Sequence, residues 1–294
     1  MKELETIEGF GIANYVEKGK YLTVTSLKPG KNVFRILPPM KSQASTGKWS
    51  NYYCIHSGYR VENSLNLFHC VGQTGFYKTG NQPKCFECEK ILEMQKNALL
   101  AKTEKNKKVE DSINGWLKNH YLSKNHYVNV MMSDRTFQVL KIGHRVKQMI
   151  DAVFKQLKEG DQIDPTAINQ GVWVVVTKTE NMRDVPSVEI KRKGGSYSGP
   201  VELAPLTKEE CKKALDECMD LVQDHHKLAR TLSSEQIELL TKISGEPDEI
   251  AAVFAGDPEM IDILKERYKD VGSILDMSQK ELEKQLGISD EVPF

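Results

Sequence analysis

Four of the six cysteines fall in one short stretch, "CIHSGYRVENSLNLFHCVGQTGFYKTGNQPKCFEC", and that crowding constrains the fold more than any other feature. Cys85 and Cys88 are separated by two residues, the gap that lets two thiolates hold one ion from a tight turn. Cys70 lies upstream, with Cys54, His56 and His69 as further donors. The stretch is glycine-rich and polar, so a metal would supply the cohesion its side chains lack. Zinc favours four nitrogen or sulfur ligands in a tetrahedron. His69 adjoins Cys70, and neighbours on an extended chain point to opposite faces, so both rarely reach one ion. His56 sits in an independent segment. The predicted set is therefore His56, Cys70, Cys85 and Cys88 around one structural Zn2+. Cys54 in place of His56 is the alternative; otherwise Cys54 is a small buried hydrophobe. A redox CxxC is the rival reading, but it wants a preceding buried strand, and "GQTGFYKTGNQPK" is a turn-rich loop. Cys211 and Cys218, seven apart in a helical pattern, read as packing positions.

Around this stretch the hydrophobic pattern changes period. "YLTVTSL" and "NVFRILPP", joined by "KPGK", read as two strands, the second stopped by Pro38 and Pro39. "EKILEMQKNALLAK" (89–102) has a helical period, whereas "TEKNKKVEDSING" (103–115) is polar and charged and reads as the exposed end of a helical hairpin or as a loop. Strands return at 126–132 and 136–143. A helix follows at about 144–158, then a last hairpin from "GVWVVVTKTE" and "PSVEIKRK". Strands around one helix make a small β-barrel the leading architecture. From Leu206 onward the pattern is helical, with Thr207, Ser233 and Ser278 as N-caps. Boundaries are expected as an N-terminal segment (1–19), a core (20–205) with the zinc subdomain inserted at about 50–125, a helical acidic region (206–286) and a terminal tip (287–294).

Charge separates along the chain. Residues 1–205 carry 30 Lys and Arg against 20 Asp and Glu, and residues 206–294 carry 11 against 21, so a net charge of zero conceals a basic body and an acidic end. No apolar run approaches the ~20 residues of a membrane span, and the acidic N-terminus lacks a signal region, so the expected location is cytoplasmic with no membrane partner. Basic and aromatic residues interleave in the body. Arg35, Lys48, Trp49, Tyr52, Tyr53, Tyr59, Arg60, Tyr77 and Lys78 come first, then Lys191, Arg192, Lys193 and Tyr197. Aromatic faces for bases and cations for phosphates are what a single-stranded nucleic-acid groove needs. Half or more of these aromatics are expected to be core, so density is the signal. Phosphate-binding loops and the common catalytic motifs are missing, which points to a binder and not an enzyme.

Three features converge: "FRILPP" after a turn, the His-Cys-Cys-x-x-Cys region within a β-rich body, and the acidic C-terminal part. Together they resemble the T-even-type bacteriophage single-stranded DNA-binding, helix-destabilising proteins, over roughly residues 20–200. The resemblance implies an α+β chain: an OB-fold barrel carrying a zinc subdomain, followed by a helical C-terminal region. It implies the metal set His56, Cys70, Cys85 and Cys88, and a protein that coats single-stranded DNA in phage-type replication, recombination and repair, in the host cytoplasm. The family's short basic N-terminal motif has no counterpart in "MKELETIEGF". The last residues are similar instead to the acidic Pro-Phe tip of bacterial single-stranded DNA-binding proteins. That likeness makes Asp290, Glu291, Pro293 and Phe294 a docking element for replication and recombination partners such as a polymerase, a helicase or primase, or a recombinase or its loader. A zinc-stapled adaptor of the replication machinery, with nucleic acid incidental, is the alternative function.

Overall fold

The computed structural model describes residues 24–40, 48–61, 64–72, 84–180, 185–195, 199–218, 220–243 and 246–271. Among these the chain forms eight strands and seven α-helices and divides into two compact units. The first unit holds the chain up to Tyr52 together with Lys124–Leu228; the second holds Tyr53–Ser123 and the chain from Ala229 on. The helical region expected from residue 206 is therefore shared: its first part belongs to unit 1 and the remainder to unit 2.

Unit 1 is built on six strands in the order β1-β6-β5-β2-β7-β8. They are β1 (Val24–Ser26), β2 (Gly30–Ile36), β5 (Leu122–Met132), β6 (Phe137–Ile142), β7 (Trp173–Lys178) and β8 (Ser187–Ile190). β1 runs parallel to β6, and the other neighbours are antiparallel. The sheet is thus mixed and open among the described residues, with β1 and β8 as its ends, and the expected β-barrel is not shown there. The α+β class stands, and Pro38 and Pro39 lie just beyond β2 as the sequence reading required.

Alternation along the strands sends side chains to two faces, and both are covered. On one face Phe34, Ile36, Val128, Val130, Leu140, Ile142, Val174 and Val176 pack with Val146, Ile150 and Phe154 of α3 (His144–Gln156). On the other, Leu37, Met131, Phe137 and Trp173 pack with Cys211, Ala214 and Cys218 at α4 (Lys208–Glu217). Thr207 caps α4 through a capping box with Glu210, so the predicted cap is present. Beyond Glu217 the chain leaves the helix, shorter than the sequence pattern suggested.

Unit 2 contains, from Tyr53 on, the antiparallel hairpin of β3 (Asn51–Val61) and β4 (Ser64–His69), whose register slips between His56 and Tyr59. α1 (Phe86–Thr103) and α2 (Lys107–Asn119) pack through Met94, Ala101, Val109 and Ile113. α2 occupies most of a stretch that the sequence left open between the end of a helical hairpin and a loop, and the structure decides for the helical hairpin. Asn106 caps it by accepting from the Val109 amide, and Val109, Ile113, Trp116 and Leu117 supply a helical period that the charged residues mask. α5 (Ser234–Lys242), α6 (Pro247–Ala255) and α7 (Pro258–Arg267) complete the unit. Ser233 caps α5 as expected; Ser278 lies outside the described residues. No described helix is long and apolar enough to cross a membrane.

Candidate metal centre and the surface of the first unit

Three separate elements of unit 2 bring four donors together. His56 comes from β3, Cys70 from just past β4, and Cys85 and Cys88 from the N-cap and first turn of α1. The Cys70 amide donates to the Cys54 carbonyl at 2.9 Å, which extends the hairpin one step and sets the Cys70 thiol beside the helix. His56 Nε2 lies 3.3 Å from Cys85 Sγ and 3.5 Å from Cys88 Sγ, and Cys70 Sγ lies 3.5 Å from Cys88 Sγ. All four donor atoms fall within 4.8 Å of one another. Ligand bonds of ~2.0–2.3 Å give a tetrahedron with edges of roughly 3.3–3.8 Å, so the spacing fits one metal ion. None of the six cysteines is in a disulfide. The Cys54 thiol is outside the set, which decides between the two candidate ligands in favour of His56.

Electrostatics point the same way. Donation from Cys70, then Cys88 and His56, strongly favours the Cys85 thiolate. The contacts with Cys70 and then Cys85 push the Cys88 thiol up, and the contact with Cys85 raises that of Cys70. Three thiols this close cannot all ionise against each other; a bound cation would let them, because it deprotonates a coordinating thiol outright. His56 and Cys70 are wholly buried, and the imidazole stacks on Phe68 at 5.1 Å.

A second polar cluster, not found from sequence, lies between the two cysteines of the CFEC turn. The fully buried Glu87 carboxylate accepts from the Tyr59 hydroxyl at 2.6 Å and faces His120 Nδ1 at 3.1 Å. His120 stacks on Trp116 with ring centroids 4.0 Å apart. Gly58, at φ +135°, makes room for it: a Cβ there would lie 2.4 Å from His120 Nδ1. Lys90 spans from above the Trp116 ring to the Thr241 carbonyl, 2.9 Å away. In the sequence the cluster shows only as a carboxylate between two of the clustered cysteines.

The nucleic-acid candidates divide sharply by exposure. Arg35 is fully buried in unit 1 and presents no surface to a ligand. It alternates with Phe34 and Ile36, so it points to the sheet face covered by α4, and its Nη2 donates to the carbonyls of Ala167 and Ile168. Burial lowers it to about 10. Gly171 leaves the space it fills: a Cβ at that position would lie 2.2 Å from Arg35 Nε. Gly171→Ala is expected to destabilise the protein by about 1–3 kcal/mol through overpacking, read as a lower urea midpoint at unchanged slope.

In unit 2, Tyr53 and Tyr59 are buried, in keeping with the expectation that half or more of the aromatics are core. The side chain of Arg60, and all of Tyr77, Lys78, Tyr197, Asp290, Glu291, Pro293 and Phe294, lie outside the described residues. In unit 1, Lys191 is exposed and paired with Glu202 at 2.8 Å, Arg192 donates to the Gly199 carbonyl, and Lys193 is exposed. Lys48 is exposed, and Trp49 and Tyr52 are half-buried. Trp49 donates through Nε1 to Asp151 at 3.1 Å, and Lys147 stands 5.6 Å from its ring. Tyr52 lies against the rings of His126 and His144 at 5.0 and 6.4 Å. No protein-family model matches the chain, and no curated protein matches it.

Proposed function

We propose that this protein binds single-stranded DNA without sequence preference through unit 1, and that one structural zinc ion holds unit 2 together. The observation that carries the DNA reading is the face on which Trp49 and Tyr52 stay partly accessible beside Lys48, Lys147 and the exposed His144. Rings of this kind hold bases by stacking, at ~1–3 kcal/mol each, and cations hold phosphates at an affinity that falls with salt. The open sheet then serves as the rigid platform that an OB-type fold would provide.

Zinc is the metal that a one-imidazole, three-thiolate set favours. With four protein ligands it has no open position for a water nucleophile, so its role is cohesion. On the same reading the protein coats single strands in phage-type replication, recombination and repair. Asp290, Glu291, Pro293 and Phe294 offer a carboxylate-flanked aromatic to a basic-rimmed pocket on a replication protein.

Fluorescence titration tests this. Oligo(dT) should bind well ahead of duplex at low salt, and Tyr52→Ala should weaken oligo(dT) binding by about 1–3 kcal/mol, roughly five- to a hundredfold. Equal affinity for the two nucleic acids, or an unaltered Tyr52→Ala, would sink the reading.

A further inference from the structure

Two histidines distant in sequence meet on this face. His126, on β5, is buried; His144 opens α3 and is exposed. His126 Nε2 lies 3.0 Å from His144 Nδ1, and the rings stack at 5.3 Å and 23°. The Tyr52 ring covers both, and Ser50 Oγ lies 3.4 Å from His126 Nδ1. At such a separation one ring nitrogen carries the proton and the other accepts it. Burial, then the charges of Lys147 and His144, lower His126 to about 4 against the opposing pull of Asp151. A proton shared by the pair is therefore disfavoured on His126, the buried ring.

The charged groups around the pair leave that proton room to act. Lys147 and Asp151 of α3 form an ion pair, and Asp151 also accepts from Trp49, so its carboxylate is already engaged. Ser50 and Tyr52, which also contact the pair, are uncharged side chains. A phosphate reaching this face would meet the exposed His144 ring beside Lys147, whose carboxylate partner Asp151 is already engaged.

We propose that His144 is a nucleic-acid contact of this face, that His126 is its positioning residue, and that the pair takes up one proton when single-stranded DNA binds. The inference rests on the DNA reading and adds its regulation by pH. By linkage, a polyanion that favours the imidazolium must bind more tightly where the imidazolium forms more readily. Affinity then rises as pH falls, by up to about tenfold per pH unit for one proton.

The test is oligo(dT) titration of the full chain at constant ionic strength, from about pH 8 to pH 5.5, around the ordinary histidine range. The wild type is compared with His144→Gln and His144→Lys. The wild type should gain roughly three- to tenfold more affinity across the window than His144→Gln. His144→Lys should bind more tightly than His144→Gln at the alkaline end and vary less with pH than the wild type. A wild-type slope equal to that of His144→Gln overturns the proton uptake. Equal affinity of the Lys and Gln variants at the alkaline end overturns the contact. A wild type that binds no oligo(dT) at any pH overturns the DNA reading itself, and this inference with it.

Discussion

Replacing Cys85 with Ser is expected to abolish metal binding and unfold unit 2. Cys85 sits at the N-cap of α1 without capping it, and its sulfur touches His56, so its observed role is in the donor cluster. A serine hydroxyl stays protonated at neutral pH and is a poor ligand for a dication. In small structural sites the metal contributes ~10–16 kcal/mol of apparent binding free energy to folding, against a total stability of ~5–15 kcal/mol for an ordinary domain. Losing even a fraction removes the hairpin's tie to α1. Elemental analysis should give about one zinc per wild-type chain and none for Cys85→Ser, with amide protection lost across residues 53–123. Chelation of the wild type should reproduce the variant. Cys54→Ala, outside the donor cluster, should keep its zinc. Full metal content in Cys85→Ser, or loss of metal in Cys54→Ala, would overturn the assignment.

Glu87→Ala should be nearly as damaging, for a different reason. The carboxylate is buried among Tyr59, His120 and Lys90, which come from β3, the C-terminal side of α2, and α1. Truncation leaves the Tyr59 hydroxyl and the His120 imidazole without their shared acceptor and removes the negative charge near Lys90, and breaking a buried charged cluster by removing one member costs ~3–5 kcal/mol. Glu87→Gln keeps the volume and one acceptor oxygen and should cost less, about 1–3 kcal/mol. Burial alone would raise the Glu87 carboxyl, but the His120 hydrogen bond, the Lys90 charge and the Tyr59 hydroxyl outweigh it and hold it low. A depressed acid contributes fully above its unfolded pKa, ~4.3, and loses that contribution as pH falls through the lower folded value. Chemical denaturation with zinc held saturating measures both variants. Wild-type stability in Glu87→Ala would show that the cluster is dispensable.

The metal set was legible because ligand chemistry leaves few options. The CxxC gap fixed two donors, the alternation of an extended chain removed His69, and His56 in its independent segment was preferred to Cys54, which the structure leaves outside the cluster. Helix caps were legible for a similar reason: Thr207 and Ser233 act within three residues of themselves. α2 was left open between helix and loop because its four apolar residues are diluted by lysines and acids, so that packing against α1 carries the helix more than its own pattern does. Whether the strands close was not legible, because closure depends on pairings remote in sequence. Alternation gives the faces of each strand but not which strands become the sheet's ends.

By itself, then, the sequence determined the local chemistry: the donor set, the caps, most of the strands and the basic-aromatic density of the first half. Only the tertiary structure decided which of those residues face a ligand. Arg35 looked like a phosphate contact and is enclosed, because helix α4 covers the second face of the sheet. His126 and His144 looked unrelated and meet at 3.0 Å, because β5 and the start of α3 converge beside Tyr52. Exposure and through-space proximity are properties of how elements pack, and a linear pattern of residue types carries neither.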